Sequence, residues 1–98
     1  MEVRLFHITT PAEWSAAVEL GLYRAPSLDT DGFIHLSTEA QWRGVVQRFY
    51  RDRDDLVLLV IDSDQLSAEV RHEWADDDAF PHLYGPLNVD AVVEVRAI

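Results

Sequence analysis

Apolar and polar positions along the first part of the chain predict a strand followed by a helix. Residues 3–9 form a run of β-branched and aromatic side chains, which is typical of a strand. Thr10, Pro11 and Glu13 then have the order of a capping box with proline at the first helical position. Gly21 stands where such a helix would end. The chain is therefore predicted to open with a strand and a capped helix.

The same order of elements repeats after a break. Residues 22–28 contain a proline and are predicted to be irregular, and residues 29–32 form a turn cluster that ends in Asp-Gly. Residues 33–36 predict a second strand. A second helix is predicted from a capping-box spacing followed by an apolar stripe, formed by Thr38, Gln41, Trp42, Val45, Val46 and Phe49.

The second half of the chain predicts mostly strands. Residues 56–61 are an unbroken apolar run, as expected for a strand that is buried on both faces. Residues 70–74 and 91–96 predict two further strands. The predicted connections are a turn or short capped helical turn at 62–66, an acidic loop at Asp76, Asp77 and Asp78, and an irregular segment at 80–87. Two early helices and about five strands indicate an α+β domain.

Length and composition narrow the classes of function. A chain of 98 residues, 48% of them hydrophobic, can close one core and is predicted to be a single domain. Eighteen acidic residues against eight arginines give a net charge of −10, which disfavours nucleic acid as a partner. Lysine and cysteine are both absent, so Schiff-base and thiol chemistry are excluded. Without disulfides or a long apolar run, the protein is predicted to be cytoplasmic and not to enter a membrane.

Candidate chemistry rests mainly on histidines, because the sequence contains no phosphate-loop, nucleophile-elbow, zinc-protease or dinucleotide motif. His7 and His35 each lie near the end of a predicted strand, where side chains commonly face ligand clefts. Thr9 and Ser37 follow them by two positions and are expected to share their faces. These residues predict a polar pocket. The alternatives are structural hydrogen bonding for the histidines and helix capping for Ser37.

Residues 80–87 are an unusual connecting segment, because they are stiff, aromatic and carry a histidine. His82 and Tyr84 are predicted to form a wall of the pocket, where the tyrosine offers a ring for stacking and a hydroxyl for hydrogen bonding. Replacing Tyr84 by Phe should then weaken ligand binding more than folding. In the alternative interpretation, Phe80 and Leu83 fill the core and His82 caps a turn.

Several of these segments together resemble one protein family. They are residues 5–9, 13–14, 31–37, Gln41, 55–59 and 80–87. Within them, the strings Asp-Gly-Phe-Ile-His-Leu-Ser and Phe-Pro-His-Leu-Tyr-Gly-Pro-Leu are long and unusual in composition. In this order, and over almost the whole chain, the sequence is similar to the small bacterial family catalogued as domain of unknown function 952.

This resemblance implies a fold similar to that of the ADP-ribosyltransferases, with a strongly bent, split β-sheet that binds NAD in a cleft. No activity is established for the family, so the resemblance implies a fold and not a reaction. By strand position, His7 resembles the first-strand histidine that binds the adenosine-side ribose or nicotinamide-side groups in those enzymes. His35 resembles the second-strand aromatic or histidine that packs on nicotinamide. Glu73 is the candidate for the catalytic glutamate of a late strand, with Glu94 as the weaker candidate.

The resulting hypothesis is a pocket for a nucleotide-like or ADP-ribose-like small molecule, with NAD or another nucleotide as a possible substrate. In an enzyme that transfers ribosyl or ADP-ribosyl groups, Glu73 would stabilise positive charge on the reacting ribosyl carbon. His7 and His35 would hold ribose hydroxyls or phosphate. The predicted ligand-binding residues are Thr9, Ser37, Arg71, His82 and Tyr84, of which the arginine would neutralise a phosphate.

Two alternatives to an enzyme of this type stay open. A non-catalytic binding protein needs only the pocket. The tyrosine and the glutamate of the ADP-ribosyltransferases have no secure match in this sequence, which predicts little NAD-consuming activity. A metal-dependent hydrolase would use His7, His35 and His82, but these residues lack paired ligand spacing.

Overall fold

The computed structural model describes residues 3–75 and 77–98, which form three small antiparallel sheets and three α-helices. The helices are α1 (Pro11–Leu20), α2 (Pro26–Thr30) and α3 (Trp42–Phe49). The strands are β1 (Arg4–Thr9), β2 (Leu22–Tyr23), β3 (Ile34–His35), β4 (Val57–Asp62), β5 (Glu69–Ala75), β6 (Asp78–Tyr84), β7 (Leu87–Asn88) and β8 (Val92–Ala97). The α+β class is confirmed, with one more helix and more short strands than predicted.

The first sheet has the order β1–β4–β8, so that β4 lies in its centre. Along β4, Leu59 and Ile61 pack into one core cluster, whereas Leu58 and Val60 pack into a second cluster on the other face. The second cluster is covered by α3, which contributes Trp42. The predicted strand with two buried faces is confirmed, and this burial explains why residues 56–61 contain no polar side chain.

The second sheet has the order β3–β6–β5, and the third is a two-stranded pair of β2 with β7. The first two sheets meet at a seam formed by four residues, Phe6, Leu36, Ser37 and Pro81. Phe6 and Ser37 exchange two backbone hydrogen bonds of 2.8 Å, and the Leu36 N–H donates to the Pro81 carbonyl at 3.0 Å. Main-chain bonds therefore hold the end of β3 between β1 and β6.

The second sheet has two chemically different faces. Cross-strand partners point to the same face of a sheet, and Ile34, Leu83 and Val70 are such partners. These three residues pack into the first core cluster. The opposite face carries the polar and aromatic side chains of His35, Arg71, Glu73, Phe80, His82 and Tyr84. The register thus collects most of the predicted pocket residues of this region on one side.

Local sequence signals account for both ends of α1. The Thr10 hydroxyl accepts a hydrogen bond from the Glu13 N–H at 3.1 Å, and Gly21 ends the helix in the left-handed conformation with φ of 89°. At α3, the Gln41 side chain accepts from the Thr38 N–H at 3.0 Å, but the helix begins only at Trp42. Within the described residues, the structure has no helix that is both long and apolar enough to cross a membrane.

Two segments predicted to be irregular are regular, and these predictions were wrong. Residues 22–28 contain β2 and the start of α2, whose first helical position is Pro26. Most of residues 80–87 belong to β6, which pairs with a strand on each side. Pro81 is tolerated in this strand because its carbonyl accepts a hydrogen bond from Leu36, just beyond the end of β3. The missing N–H of the proline therefore weakens the strand pairing little.

The acidic segment and the last strand also differ in detail from the prediction. Asp78 is the first residue of β6 and not part of a loop, and Asp77 has a positive φ of 68° in the turn. Asp76 lies outside the described residues. The last strand begins at Val92, after a single helical turn at Val89–Ala91. A similar turn at Ser63–Gln65 is capped by the Asp62 carboxylate, which confirms the predicted helical turn.

Candidate functional site

A cleft of about 540 Å³ lies beside the seam between the first two sheets. This volume falls within the range of about 300–1,000 Å³ that is usual for small-molecule sites. Its wall comes from the end of β1, the start of α2, β3, the end of α3 and the β5–β6 hairpin. The polar side chains on the wall include His7, Thr9, Tyr23, His35, Ser37 and His82. The strand-end argument therefore placed His7 and His35 correctly in one cleft.

A chain of buried hydrogen bonds connects His7, Tyr23 and Thr9. His7 Nδ1 lies 2.7 Å from the His35 carbonyl oxygen and His7 Nε2 lies 2.8 Å from the Tyr23 hydroxyl. Because a carbonyl only accepts, Nδ1 carries the hydrogen of the neutral ring and Nε2 accepts from Tyr23. The Tyr23 oxygen is then free to accept from the Thr9 hydroxyl, 3.1 Å away. The contacts thus fix one tautomer and one direction for the whole chain.

Burial keeps the two titratable groups of this chain uncharged. Desolvation lowers the pKa of His7 to about 4 and raises the pKa of Tyr23 to about 12. At neutral pH the His7 imidazole and the Tyr23 phenol are therefore both neutral. The part of the cleft wall that His7, Tyr23 and Thr9 form therefore offers hydrogen-bonding groups and no charge.

His35 and Ser37 differ in their exposure to solvent. The His35 side chain is 56% exposed, and its Nε2 lies 3.2 Å from an Asp31 carboxylate oxygen at the rim. Ser37 is buried and its backbone pairs with Phe6 across the seam, so it is not a helix cap. The strand pairing explains this difference, because the chain stays extended through Ser37 before it turns toward α3. Both residues line the cleft.

A second hydrogen-bonded group joins Glu73, His82 and Tyr84 across β5 and β6. Glu73 Oε1 accepts from His82 Nδ1 at 2.9 Å and also from the Tyr84 hydroxyl. These hydrogen bonds, first that of Tyr84 and then that of His82, hold the pKa of Glu73 below its usual value. The hydrogen bond to Glu73 raises the pKa of Tyr84. At neutral pH the Glu73 carboxylate is therefore ionised and accepts both hydrogen bonds.

Phe33 lies over this group, a position that was not predicted from the sequence. Its ring stacks on the His82 imidazole with centroids 4.0 Å apart and an angle of 14° between the planes. The same ring contacts Tyr84 at 5.3 Å and the edge of His35 at 4.9 Å. The four rings therefore form a continuous aromatic layer on the polar face of the second sheet.

Three of the predicted site residues are not part of the cleft wall. Glu73 binds His82, which does line the cleft, and Tyr84 binds Glu73. Arg71 pairs with Glu69 at 3.1 Å, and its guanidinium lies 4.6 Å from the centre of the Tyr84 ring. The weaker candidate, Glu94, belongs to β8 of the first sheet, where its carboxylate binds the side chain of Arg96.

The cleft also contains groups that the sequence analysis missed. Tyr23 belongs to a two-residue strand within a segment predicted to be irregular, so no periodicity marked it. Arg53 supplies a guanidinium to the wall and is held by the Asp55 carboxylate at 2.7 Å and 2.9 Å. In residues 3–75 and 77–98, no three His, Asp or Glu side chains have a geometry that could hold a metal ion.

Comparisons with known proteins agree with the resemblance found in the sequence. The structure is similar to the crystal structure of protein CC0527 from Caulobacter crescentus, with a TM-score of 0.85, 33% identity, and coverage of 94% of this chain and 82% of that chain. The solution NMR structure of CC0527 gives a TM-score of 0.82, 33% identity, and coverage of 97% and 84%. A search of curated proteins gives no match. The sequence model of the family described as "Protein of unknown function (DUF952)" matches residues 8–95, and the chain therefore belongs to the DUF952 family.

Proposed function

We propose that this protein binds a nucleotide-like small molecule, of the ADP-ribose type, in the cleft beside the seam. The observation that carries the proposal is the combination of a cleft of about 540 Å³ with polar groups that converge on its wall. Small-molecule sites are mostly apolar and contain a few fixed polar groups that orient the ligand. The buried chain from Thr9 through Tyr23 to His7 is such a fixed group.

The chemistry of the wall matches the parts of such a ligand. Val45, Phe49 and Phe80 supply apolar surface for a base or a nicotinamide ring. Ser37 and His35 supply hydrogen-bonding groups for ribose hydroxyls. The Arg53 guanidinium is the group suited to a phosphate, because it is cationic and its Nη1 takes no part in the pair of Nε and Nη2 with Asp55.

The sheet arrangement supports the same class of ligand. We also propose that the fold is a small relative of the ADP-ribosyltransferase fold, with its bent, split sheet. Two three-stranded sheets are joined by a few main-chain bonds at the seam, and the cleft lies where the sheet surface breaks. A break between sheets leaves room for a ligand that a continuous sheet would fill with side chains.

The geometry favours binding without ribosyl transfer. Transfer needs a carboxylate within hydrogen-bonding reach of the reacting ribose. Glu73 is the candidate, but its Oε1 already accepts from His82 and Tyr84, and the residue lies outside the cleft wall. His7, the second candidate catalytic group, has both ring nitrogens engaged and a pKa of about 4. We therefore propose a binding protein, with ribosyl transfer as the alternative.

A binding experiment tests the proposal directly. ADP-ribose, NAD, AMP and ribose 5-phosphate are titrated into ¹⁵N-labelled protein while the amide resonances are followed. The proposal expects saturable shifts at His7, Thr9, Ser37 and other cleft residues, with little change along β8 on the far side of the first sheet. Arg53→Gln should weaken binding of the phosphate-bearing ligands, whereas Arg96→Gln, the control on β8, should not. If no ligand of this set shifts the cleft amides, the proposal is wrong.

A second assay separates binding from transfer. Purified protein is incubated with NAD, and released nicotinamide is measured by chromatography. A binding protein releases none above the buffer blank. Turnover that Glu73→Gln abolishes and Glu94→Gln preserves would establish ribosyl chemistry and contradict the proposal of binding alone.

A further inference from the structure

The imidazole of His82 has one nitrogen with a partner and one without. His82 Nδ1 lies 2.9 Å from the Glu73 carboxylate, and a carboxylate that is ionised only accepts. Nδ1 therefore carries a hydrogen, and in the neutral ring Nε2 is an acceptor. This Nε2 is buried and has no hydrogen-bond partner among the described residues. His82 as a whole is 4% exposed.

Such an atom is uncommon in native proteins, where most buried polar side-chain atoms have a partner. A buried acceptor without a donor costs the folded chain free energy that an apolar side chain would not cost. Among the residues that the structure describes, none donates to Nε2. Phe33 stacks on the His82 ring, and the His35 ring stands at 78° to it with the two centroids 5.4 Å apart. The side chain nevertheless forms part of the cleft wall.

We propose that His82 Nε2 is a ligand-contacting acceptor, which takes a hydrogen bond from a hydroxyl or N–H group of the molecule bound in the cleft. This inference rests on the proposed function and deepens it, because it states that the ligand brings a donor to this wall. The donor approaches in the plane of the imidazole, where the Nε2 lone pair lies, and because Nε2 is buried the neighbouring side chains must move apart to admit it. Ribose hydroxyls and the amino or carboxamide groups of nucleotides are donors of this class.

Glu73 is then a positioning residue and not a catalytic one. Its carboxylate fixes the His82 tautomer, so that the lone pair stands on Nε2. Tyr84 donates to the same carboxylate oxygen, and Phe33 stacks on the imidazole, which limits its tilting. This assignment gives a role to the whole group of Glu73, Tyr84 and Phe33 even though none of the three lines the cleft.

The test compares two replacements that keep different halves of the ring. In His82→Asn the amide group occupies the place of Nδ1, so the contact with Glu73 is kept and the acceptor at Nε2 is lost. In His82→Gln the amide lies one atom further out, near the place of Nε2, and offers an oxygen acceptor there. ADP-ribose is titrated by calorimetry into both variants and into His72→Asn, the control on the opposite face of β5.

We expect His82→Asn to weaken ADP-ribose binding about 10- to 100-fold, the effect of leaving a buried donor unpaired. His82→Gln should lose clearly less, and His72→Asn should bind as the wild type does. Equal affinity of the wild type and a folded His82→Asn variant would overturn the inference while the proposed function stands. If the wild type does not bind ADP-ribose, the proposed function fails first and the inference falls with it.

A second measurement needs no ligand and stays informative if a variant does not fold. Nitrogen-15 spectra of the imidazole rings of the wild-type protein distinguish a protonated from an unprotonated ring nitrogen. His82 should have hydrogen on Nδ1 and none on Nε2, and addition of ADP-ribose should shift the Nε2 resonance. An Nε2–H tautomer in the free protein would overturn the inference.

Discussion

Replacing Tyr23 by Phe removes one oxygen atom from the centre of the buried chain and leaves the ring in place. Tyr23 is 4% exposed, and among the described residues its hydroxyl is the hydrogen-bond partner of His7 Nε2. Without it, a buried imidazole acceptor and the buried Thr9 hydroxyl both lose their partner. The expected result is a folded protein that is clearly less stable.

The size of the loss follows from the number of groups left unpaired. One buried polar group without a partner costs about 1–3 kcal/mol, and here two groups are affected, with partial compensation for Thr9 by rotation of its hydroxyl. We expect the free energy of unfolding to fall by about 2–3 kcal/mol. For a domain of this size each 1 kcal/mol lowers Tm by about 4–8 °C, so a loss of about 2–3 kcal/mol should lower Tm by about 8–24 °C.

Urea unfolding followed by circular dichroism measures this loss, with Tyr50→Phe as the control because Tyr50 is a half-buried ring of the same cleft. The Thr9→Val variant completes a double-mutant cycle. Once Thr9 has lost its hydroxyl, Tyr23→Phe should cost about 1 kcal/mol less than in the wild type. A loss below about 0.5 kcal/mol for Tyr23→Phe alone would refute the reasoning, because water in the cleft would then replace the hydroxyl fully.

Three further predictions concern other parts of the molecule. Because the folded pKa of His7 is about 4 and the ordinary value is 6.5, the unfolded chain binds the proton first, and stability is lost as pH falls from 6.5 toward 4. Between pH 7.5 and pH 5, urea titrations should show the wild type losing about 2 kcal/mol more than His7→Asn, and equal losses would contradict this. Gly44→Ala should stabilise α3 by about 0.5–1 kcal/mol, because an added Cβ meets no atom within 4 Å. Gly85→Ala should destabilise by about 1–3 kcal/mol, because its Cβ would lie 2.7 Å from the Cβ of Ala68; a rise in the urea midpoint would disprove the clash.

Local signals in the sequence predicted the elements whose causes are themselves local. The capping residues Thr10 and Gly21 fixed both ends of α1, and the apolar run at 56–61 identified the central strand. Asp62 predicted the short helical turn that follows. In each case the deciding contacts lie within a few positions of the residue that carries the signal.

The errors lie where distant residues decide the structure. The two prolines and the glycine of residues 80–87 predict an irregular segment, but pairing with β3 and β5 on its two sides makes most of it a strand. The candidate site shows the same division. Strand ends predicted that His7 and His35 share a cleft, whereas Tyr23 and Phe33 join the site only through the packing of short segments far apart in the chain.

The backbone bonds of the seam between the two sheets provide a way to detect opening of the cleft. It consists of the paired backbone bonds of Phe6 with Ser37 and the bond from Leu36 to Pro81. The first core cluster also spans both sheets, so opening at the seam requires these bonds and the core contacts to separate together. The amides of Phe6, Leu36 and Ser37 should then exchange with solvent deuterium in one opening event. Their hydrogen-exchange rates should therefore change together, and a molecule that spans the cleft should slow all three at once while leaving the exposed end of α1 unaffected.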